Sequence, residues 1–212
     1  MEKLRLNTRN WLHLRTNALN NSPASTTETA VQYILDSRAS QFTVQVFSGG
    51  LFSAFGHNPT IAIREFSGEL QVNLDEPERS SLKLTVNPSA LVVKDDISDK
   101  DRREIERVMR DEILETERFP EIVYECSNVS ANKAGESQYT VTLNGELSMH
   151  GVSREQIVPA RAVFTGDSLR AFGTFSLRQT DYELKLASVA GGALKVKDEL
   201  KGSFNILARK KE

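Results

Sequence analysis

The chain has 212 residues, of which 39% are hydrophobic and 26% charged, enough for one large all-β barrel or for one domain plus a tail. A formal net charge of −2 and a pI near 6.0 argue against a nucleic-acid binder, which needs a clustered Lys/Arg surface. The one dense basic run, Arg209 to Lys211, reads as a solvated tail.

Residues 1–30 form a polar N-terminal extension that ends in the Ser/Thr/Asn-rich stretch Asn20 to Thr27. A short helix around Trp11 to Leu19 would carry a weak apolar stripe, and both disorder and a loosely docked arm fit this composition. Lys3, Arg5, Arg9 and Arg15 stand among Asn and Thr with no continuous apolar stretch, so no signal peptide is read. No integral membrane segment is expected either, and the expected compartment is the cytoplasm.

From Val31 the chain alternates as strands do, and the domain is read as 31–209. Phe42, Val44 and Val46 share one face, with Thr43 and Gln45 on the other. Phe66, Gly68, Leu70, Val72 and Leu74 repeat the pattern, followed by Leu82, Leu84 and Val86. Further runs place Tyr139, Val141, Leu143, Gly145, Leu147 and Met149 on one face, then Leu169, Ala171, Gly173, Phe175 and Leu177, then Phe204, Ile206 and Ala208. Turn signals at Gly49-Gly50, Asp75 to Pro77, Lys133 to Gly135 and Gly166-Asp167 separate these runs. Short strands joined by such turns indicate an all-β antiparallel meander or barrel.

One helical insertion, about 98–117, breaks the rhythm. Ile105, Val108, Met109 and Ile113 recur at helical spacing, Ser98 or Asp99 caps the start, and Pro120 ends it. Such an insertion would cover one mouth of a barrel or one edge of its wall. Cys126, the one cysteine, forms no intramolecular disulfide and sits in an alternating run as a buried structural thiol. Gly191-Gly192 prevents a helix near Ala187, so 183–202 is read as a loop.

Four stretches, Gly50 to His57, Phe119 to Ile122, Leu143 to Val152 and Arg178 to Tyr182, resemble in order and spacing the YceI-like family. The likeness runs from Tyr33 to Ile206 and includes an opening of Tyr33 to Asp36 followed by Ser40 to Val44. Glu183 stands where the family carries a glycine after the aromatic. The resemblance implies a lipocalin-like antiparallel barrel of about eight strands that binds an isoprenoid lipid. The ligand would be a polyprenyl alcohol, its phosphate, or a prenylated quinone. It implies no catalysis and no cofactor, and because family members are often exported, the lack of a signal segment is a departure.

Periodicity alone leaves a hollow barrel and a solidly packed one both open; the resemblance implies the hollow one. The lipid-lining candidates are the inward-facing Phe42, Val44, Val46, Leu70, Val72, Leu84, Val86, Val141, Leu143, Leu147, Met149, Phe175, Leu177, Phe204 and Ile206. Small residues among them, Ala54, Gly68, Gly145, Ala171 and Gly173, would leave room for a ligand. Head-group candidates are His57 and His150, each beside a glycine at a strand end, with Arg178 and Tyr182. Arg178 would either pair with Asp181 to pin a loop or meet a phosphate; Tyr182 and Tyr33 would cap the tube, hydroxyl outward.

Two other functions fit the same pattern. One is an enzyme that uses the apolar cavity with His57 as general acid or base. The other is a filled barrel whose arm or helix recruits a partner. Two distant histidines and one cysteine are too few for a metal site. An exposed apolar mouth would favour pairing into a homodimer.

Overall fold

The computed structural model describes residues 30–49, 58–189 and 194–212. The N-terminal extension and His57 therefore lie outside the described residues, as does Ala54. The strands form where apolar side chains recur at every second position. They are β1 (Val31–Gly49), β2 (Thr60–Ile63), β3 (Phe66–Val72), β4 (Ser81–Val86), β5 (Leu91–Val93) and β6 (Ile122–Lys133), then β7 (Gln138–Met149), β8 (Val152–Thr165), β9 (Ser168–Arg178), β10 (Ser188–Val189) and β11 (Leu194–Lys210). Eight of them close an antiparallel barrel in the order β1-β3-β4-β6-β7-β8-β9-β11, with β11 returning to β1. The short strands β2, β5 and β10 extend the wall at one end, β2 on Thr43–Gln45 of β1, β5 on β2, and β10 on β11.

β1 serves two neighbours because it bends. Its register against β11 shifts between Asp36 and Gln41, so Val31 to Ile34 pair with β3 and the later part pairs with β2. Side chains hold this bulge: Ala39 N donates to Asp36 Oδ1 (3.1 Å), Arg209 Nε to Asp36 Oδ2 (3.0 Å) and Leu207 N to Ser40 Oγ (2.9 Å). A bulge adds local bend and twist, which a closed sheet requires. At the β7–β8 hairpin, His150 and Gly151 have φ of 54° and 79°, the two positive values of a type I′ turn.

Two packed regions divide the interior. At the end where β4, β7 and β9 finish, Phe42, Ile61, Phe66, Val86, Tyr124 and Leu147 belong to one cluster. At the opposite end Tyr33, Ala162, Leu169 and Ala208 pack with Leu70, Val72, Tyr139 and Phe164. Leu74, expected as the last inward residue of its strand, lies beyond the end of β3 and is 48% exposed.

The helical segment is α1 (Asp99–Val108) followed by a turn of π-helix, Met109–Ile113. Ser98 is the N-cap and its Oγ accepts from Asp101 N (3.1 Å). The segment ends where Glu115 takes φ of 46°, so it covers 99–113, and Pro120 has no part in stopping it. α1 also covers the free edge of β5. Glu106 Oε1 accepts from Val93 N (2.9 Å), and the Arg102 guanidinium donates to the carbonyls of Val93 and Asp95.

The loop expected over 183–202 is corrected: β10 and most of the first part of β11 lie within it. Val196 and Leu200 point inward as strand residues should, but Asp198 stands between them and breaks the apolar period. Its carboxylate is committed to Thr180 and Arg178.

Candidate functional site: an apolar cavity under a helical cover

A cavity of about 510 Å³ occupies the β2–β5 end of the barrel. β1 contributes Phe42, Val44 and Val46 to its wall, and β4 contributes Leu84 and Val86. Leu143, Leu147 and Met149 come from β7, Phe175 and Leu177 from β9, and Phe204 and Ile206 from β11. Of the lining candidates named from sequence, Leu70, Val72 and Val141 are not in this wall. Leu70 and Val72 pack in the cluster at the other end, and Val141 touches both clusters. All three do face inward. Alternation tells which face of a strand is inside, but not how far along the barrel the hollow reaches.

Parts of the wall went unnamed as lining in the sequence reading. Ile105, Val108, Met109, Ile113 and Leu114 cover the cavity from the helical segment, and Ile61, Ile63, Leu91 and Val93 close its side from β2 and β5. The helical stripe was legible as an apolar face; what it packs against was not.

The inward glycines do not make the hollow. A Cβ on Gly145 would meet the ring of Tyr124, one on Gly173 the ring of Phe204, and one on Gly68 the side chain of Leu35. Cross-strand side chains lie over these glycines, so the space is already taken. Gly202 is covered in the same way by Phe175.

Polar groups in the wall are few, and each has a protein partner. Tyr124 Oη lies 3.1 Å from Leu143 O and 3.0 Å from Gln156 O, donating to these wall carbonyls, and burial pushes its pKa up. Gln179 Nε2 donates to Lys197 O (2.8 Å) and Gln156 Nε2 to Ile157 O (3.0 Å). Asp95 Oδ2 accepts from Thr60 N (2.7 Å), and Glu104 pairs with Arg107 (2.8 Å). Among the described residues, no Lys, Arg or His lines the cavity.

None of the head-group candidates among the described residues lines the cavity. His57 lies outside the described residues. His150 is turned away from the cavity: its ring packs on Phe119 (centroids 4.4 Å apart), with Nε2 3.5 Å from Glu115 Oε1. It joins the chain leaving the helical segment to the β7–β8 turn, where the Phe119 ring lies in the space a side chain on Gly151 would take. Arg178 pairs with Asp198 (Nε to Oδ2, 2.8 Å), where Asp181 or a phosphate had been expected. Asp198 also accepts from Thr180 N (2.9 Å) and Thr180 Oγ1 (2.8 Å). The Thr180 backbone hydrogen bond, ahead of the other partners, holds this carboxyl below the usual carboxylate range. Tyr182 is 2% exposed, a core residue and not a rim cap, and its hydroxyl pKa is raised first by burial. Tyr33 is likewise buried, in the far cluster.

Cys126 is buried, with Sγ 3.4 Å from Asn128 O, and burial raises its thiol pKa. No group of three or more His, Cys, Asp or Glu among the described residues is arranged to hold a metal ion. No helix among them is long and apolar enough to cross a membrane.

A closed eight-stranded antiparallel barrel with an apolar hollow at one end is the architecture of small-ligand-binding barrels. Residues 33–208 match the family model described as YceI-like domain, and the chain belongs to that family. Among solved structures, Burkholderia cenocepacia BcnA is similar with a TM-score of 0.62 at 17% identity, over 82% of this chain and 98% of BcnA. A polyisoprenoid binding domain from Saccharophagus degradans, implicated in plant cell wall breakdown, gives 0.61 at 13% identity, over 86% and 99%. The Campylobacter jejuni YCEI protein gives 0.53 at 11% identity, over 74% and 88%. At these identities the likeness is one of fold. No curated protein is matched by the sequence.

Proposed function

We propose that this chain is a binding protein that shields the hydrocarbon chain of an isoprenoid lipid from water, and that the lipid's head group is uncharged. The carrying observation is the wall itself: aliphatic and aromatic side chains around about 510 Å³, with the polar groups described above already partnered. Pockets of roughly 300–1,000 Å³ hold small organic ligands. Each methylene-sized group buried there contributes about 0.8 kcal/mol, which a branched apolar chain supplies many times over. The polyisoprenoid-binding description of the Saccharophagus degradans domain, which shares the fold, supports the same ligand class.

The head-group preference follows from charge. A phosphate drawn toward this wall would meet Asp95 and Glu104 and no lining cation among the described residues. Burying an anion without a partner costs several kcal/mol, whereas a hydroxyl or quinone carbonyl carries a much smaller penalty. Calorimetric titration with farnesol and with farnesyl phosphate tests the reading. The alcohol is expected to bind at least about tenfold more tightly. Protein that takes up neither ligand, and yields no lipid on organic extraction, would overturn it.

A further inference from the structure

Resting on that reading, we propose that Phe42 is the floor of the cavity and sets the length of isoprenoid chain it accepts. Phe42 is buried and lines the cavity near its inner end. Its ring meets those of Phe66, Phe175 and Phe204 edge to face, with centroids 6.0, 6.2 and 6.4 Å away. On β1, Val44 and Val46 line the cavity on the mouth side of Phe42. On its other side lies Leu35, which packs against both clusters, and then Tyr33 in the far cluster.

The neighbouring strands change character close by, on β11 one inward residue past Phe204, the register partner of Phe42. Ile206 lines the cavity while Ala208, the next inward residue of β11, belongs to the far cluster. Leu143 lines it while Val141, the next inward residue of β7, does not. Beyond this level the barrel is packed, with Phe164 against Tyr33 (6.2 Å) and Tyr139 (5.6 Å).

The floor is also braced. Phe204 lies over Gly173 and Phe175 over Gly202, so two of the rings around Phe42 are seated on backbone that carries no side chain. A ring held this way does not swing aside for a longer chain without displacing its neighbours. The tail of a bound isoprenoid therefore ends at the face of Phe42, and further units are left in the mouth, in water.

Calorimetric titration of the full chain with geraniol, farnesol and geranylgeraniol tests this. In the wild-type protein, affinity rises by about tenfold or more for each unit that fits and stops rising at a break length. Phe42→Ala removes a phenyl ring, about the space of one isoprene unit, and is expected to move the break one alcohol longer. Phe42→Leu should move it the same way by less, giving a mainly higher affinity for the alcohol just past the break. Val46→Phe, nearer the mouth, should move the break shorter. Val72→Ala, in the far cluster, should leave it in place. If the Phe42→Ala chain does not fold, Phe42→Leu and Val46→Phe decide. Variants that bind the series with an unmoved break overturn the floor while leaving the carrier function standing. A wild-type protein that binds none of the alcohols overturns the carrier function, and the floor with it.

Discussion

At Gly145 the position a Cβ would take lies 2.7 Å from the Tyr124 ring, with the Glu125 carbonyl close by on the same strand. Two effects of opposite sign compete when alanine replaces it. Alanine in a strand interior gains about 0.5–1 kcal/mol over glycine through the unfolded chain. Against this, forcing a methyl into occupied space costs about 1–3 kcal/mol. Overpacking wins here because Tyr124 cannot yield without breaking its hydrogen bonds to Leu143 O and Gln156 O. Gly145→Ala is therefore expected to lower the stability measured by urea unfolding, by about 1–2 kcal/mol net. Gly135→Ala is the matched control. Its Cβ would meet Gln138 side-chain carbons at no less than 3.5 Å, an ordinary contact, so it should be neutral or slightly stabilising.

The helical cover is held by its N-terminal half at β5 and by its exit segment at the β7–β8 turn. At the first, Arg102 and Glu106 hydrogen-bond the backbone of Val93 and Asp95; at the second, the Phe119 ring packs at a tilt on His150 and lies where a side chain on Gly151 would be. Phe119 and the His150-Gly151 pair, far apart in sequence, are thus parts of one contact. Hydrogen bonds to charged groups contribute about 1.5–3 kcal/mol each. Arg102→Ala is expected to raise amide hydrogen exchange in residues 99–113 by about tenfold or more, with the barrel strands unchanged. Exchange that rises equally in β7 and β8 would show that the cover and barrel open as one unit.

The barrel was legible because a strand's side chains alternate regardless of where the strand ends up. Val44, Leu84, Leu147 and Phe175 read as inward, and inward they are. What escaped detection depends on register between strands distant in sequence. Gly173 reads as a gap until β11 places Phe204 over it, and Tyr182 reads as a rim residue until the turn before β10 carries it into the core. Gly191-Gly192 makes 183–202 read as a loop, and Asp198, a polar inward residue, offers no strand signal there unless its partners, Thr180 and Arg178, are known. The same long-range pairing governs how the molecule unfolds. β1 and β11, the first and last strands of the barrel, pair with each other to close it, so neither can peel away without opening the wall around the cavity. A ligand held in that cavity is then lost whenever the barrel opens, and its binding energy is felt by every strand. Farnesol at 100 times its dissociation constant is expected to raise global stability by about 2.7 kcal/mol, with a single urea transition moved to higher concentration. Circular dichroism and hydrogen exchange at β1, β7 and β11 should report the same shift. A midpoint that moves for the mouth strands alone would mean that the two ends of the barrel unfold independently, and that the β1–β11 seam does not couple them.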